Sequence, residues 1–473
     1  MDANASLAES RLPTWRLILS LAIPVLAQQS LVFVVMQSDR FLAGHLSAAG
    51  ERQPAFQAAQ TTANYLAWLI NSYTVTVTVG SIALVARFTG AGDRSLANQV
   101  MHQSLMLASG LAIIGSVAAL GGGLPWLIDL LNLDGDAAEL ADRYLQPLFV
   151  LLVFQMLESA GIACLIGAGD TRTGLWVMLG VAIVNLPLAW GFVRGWPPLP
   201  ELGFVGIALG TALSHALGGL AILVVLTRGR FGLKLHLSQL TPRWDLLSRL
   251  LRVSVPAALD SLSVVVGQFW FLAIVNELGY EASSAHGIAL GWEALGYLSG
   301  AAFGTAAMTL VGQNLGAQQP SQAARAGWTA FGIGCGVMCV MGAVFFVLAR
   351  PMFRLYCPSP AQAGIVAAGV PVLRLVAFAM PAAASTFILT QALRGAGDTR
   401  FPLLFTWIGF FLVRIPCAYY FAFEVVSVPL LGNMTGLGMG LLGAWLAMFA
   451  DLMVRGGFFL HRFAGGGWRR VQI

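Results

Sequence analysis

The chain has 473 residues, 58% hydrophobic and 10% charged, with a mean hydropathy of +0.78. Soluble domains carry roughly a quarter charged residues, so this composition excludes a large soluble enzyme and indicates a polytopic membrane protein. The formal net charge of +5 comes without a basic run or an aromatic-interleaved basic patch, which excludes nucleic acid as the expected partner.

Residues 1–14 are polar, carry Asp2 and Glu9, and lack a basic segment before the first apolar stretch, so that stretch is expected to be retained rather than cleaved. Apolar segments long enough to cross a bilayer then fall at 15–43, 57–86, 97–124, 138–166, 173–193, 203–227, 247–277, 282–313, 322–348, 362–393, 401–424 and 437–461. That predicts an all-α protein with twelve transmembrane helices. Several exceed the roughly 20 residues a span needs, which allows tilt or protrusion. Basic residues such as Arg87, Arg94, Arg172, Arg228, Arg243, Arg325, Arg394 and Arg400 fall in loops on one side, and Arg16, Arg462, Arg469 and Arg470 flank the outermost spans on that side. Arg143, Arg194, Arg350 and Arg354 fall on the other, alongside Asp129 and Asp142. The bias places both termini in the cytoplasm.

An ionisable residue inside a span is costly and marks a functional candidate. Asp39, in the outer part of the first span, leads these. Gln28, eleven residues earlier, lies on nearly the same helix face, and Arg40 projects about 100° away and is a poor partner for Asp39. The alternative is that Asp39 pairs with a basic residue near the membrane surface. In the second span Asn64, Trp68, Asn71 and Thr78 share one face, which suits a cavity wall or helix-to-helix hydrogen bonding. Glu158 in the fourth span is a candidate for either structural pairing or substrate contact.

The fourth span ends in Gly167-Ala168-Gly169-Asp170-Thr171-Arg172, which returns as Gly395-Ala396-Gly397-Asp398-Thr399-Arg400, an offset of 228 residues. Glycine permits a tight turn with positive φ, Asp170 or Asp398 can cap the next helix, and Arg172 or Arg400 anchors the cytoplasmic side. Other features recur at similar offsets: Pro24 with Pro256, Gly90 with Gly316, and Gly206 with Gly443. The charged connector 228–246 divides the chain into 15–227 and 247–461, with tails 1–14 and 462–473. Six spans per half is an even number, so the halves form a parallel repeat.

The second half holds Asp260, Glu293, Asp451, Arg374, Arg414 and Arg455, a balance that predicts a buried ion-pair network. Alternatively Glu293, flanked by Trp292 and Tyr297, meets a cationic substrate by charge and stacking. His215 and His286 read as ordinary polar residues near helix ends. The five scattered cysteines suggest neither a metal site nor a disulfide framework. No P-loop, HExxH or Ser/His/Asp arrangement is present, so neither ATP-driven transport nor a familiar enzyme chemistry is expected.

The two Gly-Ala-Gly-Asp-Thr-Arg turns, with Val311-Gly312-Gln313-Asn314-Leu315-Gly316-Ala317 and Ala285-His286-Gly287-Ile288-Ala289, resemble the MATE family of multidrug and toxic-compound extrusion transporters, closest to its DinF-like branch. The resemblance runs from Pro24 to about Arg462. It implies two six-helix lobes around a central cavity, and export of organic, often cationic small molecules across the cell inner membrane against inward H+ or Na+, with no other cofactor and no metal. It implies a monomer, and it implies that Asp39 is the ion-binding acid, with Asn185 and Thr211 at the polar positions around it. The chain departs from the family pattern where some members carry further acids, having Ala189, Val264 and Ala383 there. A lipid-linked oligosaccharide flippase of the related superfamily is the alternative; its cavity is expected to be more cationic, to hold pyrophosphate.

Overall fold

The structure is a computed structural model that describes the backbone at residue 7 and over 12–44, 53–130, 135–428 and 432–471. The side chains of residues 44, 53–69, 71, 130, 137, 427 and 428 lie outside the described residues. Asn64, Trp68 and Asn71 are therefore placed on a helix, but their side-chain surroundings are not described.

The described chain is helical almost throughout. The first six spans comprise α1 (Thr14–Gly44), α2 (Gln53–Gly90), α3 (Arg94–Ala118), α4 (Leu124–Leu130), α5 (Gly135–Val150), α6 (Leu152–Ala168), α7 (Thr171–Arg194) and α8 (Phe204–Arg228). The remainder comprise α9 (Trp244–Glu277), α10 (Tyr280–Gly316), α11 (Pro320–Tyr356), α12 (Ala363–Ala384), α13 (Thr390–Gly395), α14 (Arg400–Trp407), α15 (Ile415–Ala422) and α16 (Gly440–Gly465). Among the described residues, ten helical stretches are long and apolar enough to cross a membrane, and the bent pair α5–α6 makes eleven. The 38-residue α2 covers the remaining expected span. The protein is thus a multi-pass membrane protein of the predicted class.

Two expected spans prove not to be continuous. The segment expected at 97–124 breaks at Gly121 and Gly122, whose φ values are −79° and +113°, and resumes as α4. Glycine makes that break sterically cheap. The segment expected at 138–166 bends by 54° between α5 and α6. Pro147 lies in the last turn of α5 and offers no N–H to the helix ladder. A short antiparallel hairpin, β1 (Val425–Val428) with β2 (Gly432–Thr435), follows α15 and was not foreseen. The strands are short, with β-branched valines in β1 only, and they lie between α15 and α16.

The chain packs as two compact units: residues 1–10, 23–255 and 316–318 form one, and residues 11–22, 256–315 and 319–473 the other. In the first unit α7 packs on α8, and α6 on α2, α3 and α8. In the second α11 packs on α12, and α16 on α12 and α15. The connector after α8 lies along α3 of its own unit. The Lys234 amide donates to Asn98 (2.8 Å), the His236 amide to His102 Nε2 (3.0 Å), and the Arg243 amide to Gln103 (2.9 Å).

The repeated turn is built alike in both units, with one difference. Gly169 and Gly397 have φ of +100° and +86°, the left-handed conformation that ends a helix cleanly. Asp170 then caps α7, accepting from Thr173 N (3.0 Å) and Thr173 Oγ1 (2.5 Å), while Arg230 Nε adds a 2.9 Å bond. Asp398 does not cap: the residue before α14 is Thr399, which makes no side-chain cap bond, and Asp398 instead accepts from Arg462 Nε at 2.9 Å. The expectation of equivalent caps fails there because Thr399 is in the helical region (φ −104°, ψ −15°) and starts the helix one residue later.

Candidate functional site

Within the first unit, α1, α7 and α8 each bring one polar side chain to a common point. Asp39 on α1 is 6% exposed and accepts a 3.0 Å hydrogen bond at Oδ2 from Thr211 Oγ1 on α8. Thr211 in turn accepts from Asn185 Nδ2 on α7, which is fully buried, at 2.9 Å. The sequence named these three residues, and they meet. Asp39 Oδ1 and Asn185 Oδ1 are buried without a hydrogen-bond partner among the described residues, as is Gln28 Oε1. Orphaned buried acceptors of this kind are costly and call for a proton or a cation. Gln28 itself lies against Gly174 on α7, where an added Cβ would stand 3.0 Å from its Oε1.

His215 extends the site. It lies one helical turn beyond Thr211 on α8 and so shares its face. Its Nδ1 is 2.7 Å from Glu158 Oε2 on α6, and it lies within electrostatic range of Asp39. Glu158 is 2% exposed, and its Oε1 has no partner among the described residues. His215 is thus not an ordinary helix-end residue: α8 presents Thr211 and His215 on successive turns, Thr211 to Asp39 and His215 to Glu158. Glu158 is engaged by this histidine, and the i,i+4 spacing from Thr211 was the signal that could have found it.

The second unit buries more charge. Arg414 reaches Asp451 Oδ2 through Nε (2.9 Å) and Nη2 (2.6 Å), and Arg455 Nε reaches Asp451 Oδ1 at 2.6 Å. Both guanidinium groups also lie over the ring of Phe410, at 4.1 and 4.8 Å from its centre. Arg394 Nη2 bonds Asp260 Oδ2 at 2.5 Å. This is the kind of ion-pair network that the charge balance suggested, with two differences in membership: Arg394, not foreseen, pairs with Asp260, and Arg374 and Glu293 are in none of the pairs among the described residues. Arg374 is exposed on α12, with the Phe346 ring 5.5 Å from its guanidinium.

Glu293 is 1% exposed and hydrogen-bonded by Tyr297 from the next turn of α10, and Arg414 lies within electrostatic range. Trp292 is edge-on to Tyr356 at 5.7 Å, so of the two aromatic residues that flank Glu293 in sequence Tyr297 is the one that bonds it. His286 is buried between Phe271 and Trp445, in an aromatic rather than a helix-end setting.

Comparison with known proteins adds the family. The MatE family model matches residues 24–190 and again 256–420, one copy for each half of the chain. The chain belongs to the MatE family. A probable multidrug resistance protein NorM of Thermotoga maritima is 27% identical to this MatE protein over 461 residues, covering 96% of this chain and 93% of that one. A probable NorM of Bradyrhizobium diazoefficiens is 27% identical over 453 residues, covering 94% and 92%. A solved transporter of the MOP superfamily from Pyrococcus furiosus superposes with a TM-score of 0.86 at 21% identity, covering 96% of this chain and 97% of that one. That likeness is one of fold. The MatE protein is a transporter that handles small molecules in a membrane, not an enzyme.

Proposed function

We propose that this MatE protein exports organic, cationic small molecules by antiport against inward H+, with Asp39 as the coupling acid. The observation that carries the reading is the buried chain Asp39–Thr211–Asn185, in which a carboxylate within three membrane helices keeps one oxygen without a partner among the described residues. A single carboxylate beside neutral donors suits one exchangeable proton; Na+ is the alternative ion, for which carboxylate and amide oxygens are also ligands. Ion occupancy at Asp39 favours one conformation and drug occupancy another, and the difference in affinity couples them. The relatives named as multidrug resistance proteins support organic substrates. Both termini are read as cytoplasmic, in the inner membrane, and the unit of function as a monomer.

The flippase alternative needs free buried cations to hold pyrophosphate. Arg394, Arg414 and Arg455 are each bonded to Asp260 or Asp451, which favours cation export instead.

The test is a liposome containing only this protein, loaded with ethidium and given a pH gradient or a Na+ gradient. Movement driven by the pH gradient and lost in Asp39→Asn is the expected result. Movement indifferent to both gradients, or full activity of Asp39→Asn, would remove Asp39 from the mechanism. Restoration of capsule synthesis in a flippase-deficient strain would favour the alternative.

A further inference from the structure

A second polar feature of the second unit, apart from its buried ion pairs, lies at the junction of α11 and α12. A cleft of about 850 Å³ opens there, bounded by the last turns of α11, the segment Cys357–Pro360 and the first half of α12. Its charged lining is Arg350, Arg354 and Arg374, and no carboxylate lines it. Arg350 and Arg354 are one turn apart on α11, so their side chains leave the same face. Arg374 approaches from α12. All three are exposed, and none makes an ion pair among the described residues. The contrast with the interior arginines of the same unit, each tied to an aspartate, is complete.

Three guanidinium groups around one cleft repel one another, and an anion relieves that repulsion. Guanidinium matches the oxygens of a phosphate with paired N–H groups and is less strongly hydrated than an ammonium, so phosphate is the anion such a cluster fits best. The surroundings say how that phosphate is carried. Phe346 lies one turn before Arg350 and Phe378 one turn after Arg374, and their rings meet edge-on at 5.6 Å. Both positions lie toward the middle of their spans, away from the α11–α12 connection. Val347 is 71% exposed and Phe378 62%, each within about one helical turn of an arginine of the cleft, Arg350 or Arg374. A polar, cationic end followed by an apolar strip toward the membrane interior is the order of groups in a phospholipid.

We propose that this cleft binds a phosphate-bearing anion, held by Arg350, Arg354 and Arg374, and that its source is the headgroup of an anionic phospholipid whose acyl chains lie along Phe346 and Phe378. The site is separate from Asp39 and does not depend on what the protein exports.

The experiment uses the full chain purified in a neutral detergent. Binding is measured by titration with short-chain phosphatidylglycerol, short-chain phosphatidylcholine and inorganic phosphate in turn, at low and at high salt. The expected result is saturable phosphatidylglycerol binding, weakened at high salt, and weakened at least tenfold in the triple variant Arg350→Gln, Arg354→Gln, Arg374→Gln. Ala367→Trp, which keeps every arginine but fills the cleft, is expected to lose binding as well; both variants must elute like the parent protein on size exclusion. Inorganic phosphate that binds alone and displaces the lipid would assign the site to phosphate as such and not to a lipid. Equal phosphatidylglycerol binding by parent and triple variant, or binding of phosphatidylcholine as tight as that of phosphatidylglycerol, would overturn the proposal.

Discussion

Phe271 stands in the second unit where Asp39 stands in the first: each lies fifteen residues past the proline of its helix, Pro256 in α9 and Pro24 in α1. The same comparison pairs Asn185 with Arg414. Each is seven residues before a phenylalanine, Phe192 or Phe421, whose backbone closes on the matching glycine, Gly206 or Gly443. The two units therefore put opposite chemistry at one place in a shared plan. An acid and an amide meet in the first; an aromatic ring and a guanidinium meet in the second, with Arg414 5.7 Å from the Phe271 ring centre. The first place offers a carboxylate with no ion pair among the described residues, the second a guanidinium already paired with Asp451, and the coupling proposed for Asp39 rests on that difference.

The Thr211 hydroxyl is the link between Asp39 and Asn185, and its loss leaves Asp39 without its hydroxyl donor. A hydrogen bond to a charged group contributes about 1.5–3 kcal/mol, so Thr211→Ala is expected to lower ion-driven efflux by roughly one order of magnitude or more. Thr211→Ser keeps the hydroxyl and should retain most of the activity. Dye efflux rates at matched protein content in liposomes measure both, and equal rates for Ala and parent would remove Thr211 from the coupling site.

The His215–Glu158 pair makes a separate claim, about stability. His215→Ala leaves Glu158 buried with neither oxygen bonded, which costs about 1–3 kcal/mol and more if the group is charged. Glu158→Leu alone frees His215, and the double variant removes both polar groups. The double variant is expected to unfold at a higher temperature than His215→Ala, so the two effects are less than additive. Thermal unfolding in detergent reads this directly; strictly additive losses would show that the 2.7 Å contact carries no coupling.

How much of this was legible in the sequence divides along the range of the forces involved. The Gly-Ala-Gly-Asp-Thr-Arg turn could be read because its glycine conformations are local, and Gly169 and Gly397 do take positive φ. What the two aspartates do depends on remote partners, Arg230 for one and Arg462 for the other, and that no turn motif encodes. Asp39 stood out as an ionisable residue inside a span, and spacing joined it only to Gln28; Asn185 and Thr211 were found through resemblance. His215 was missed because its partner sits on another helix. Arg374 was counted into the ion-pair network because net charge balanced, whereas pairing is geometric and Asp451 takes two arginines at once.

Gly395 and Gly167 give the turn a packing role beyond its conformation. A Cβ on Gly395 would lie 2.8 Å from Met308 Cα on α10 and closer still to the Met308 carbonyl oxygen; on Gly167 it would lie 2.8 Å from the Ile82 carbonyl oxygen on α2. Backbone cannot retreat as a flexible side chain can, and forced overpacking costs about 1–3 kcal/mol or more. Gly395→Val is therefore expected to reduce the amount of folded protein recovered from membranes severalfold, whereas a valine at Gly457, where nothing lies within 4 Å of the added Cβ, should be tolerated. Size-exclusion profiles from equal expression volumes compare them.

The proposed coupling through Asp39 has a rival in Glu293, which is as deeply buried. The hydrogen bonding separates them. Tyr297 donates to Glu293 from within the same helix, a bond that glutamine can keep by accepting through its side-chain carbonyl. Arg414, close to Glu293, is also tied to Asp451, so the two acids Glu293 and Asp451 balance the two arginines Arg414 and Arg455 in that cluster. Among the described residues Asp39 has no such cation bonded to it, only Thr211. Glu293→Gln should therefore preserve transport driven by the pH gradient while lowering apparent affinity for cationic dyes, and Asp39→Asn should abolish the gradient dependence itself. Measured side by side in the same liposomes, a reversed outcome, with Glu293→Gln uncoupled and Asp39→Asn active, would move the coupling site from the first unit to the second.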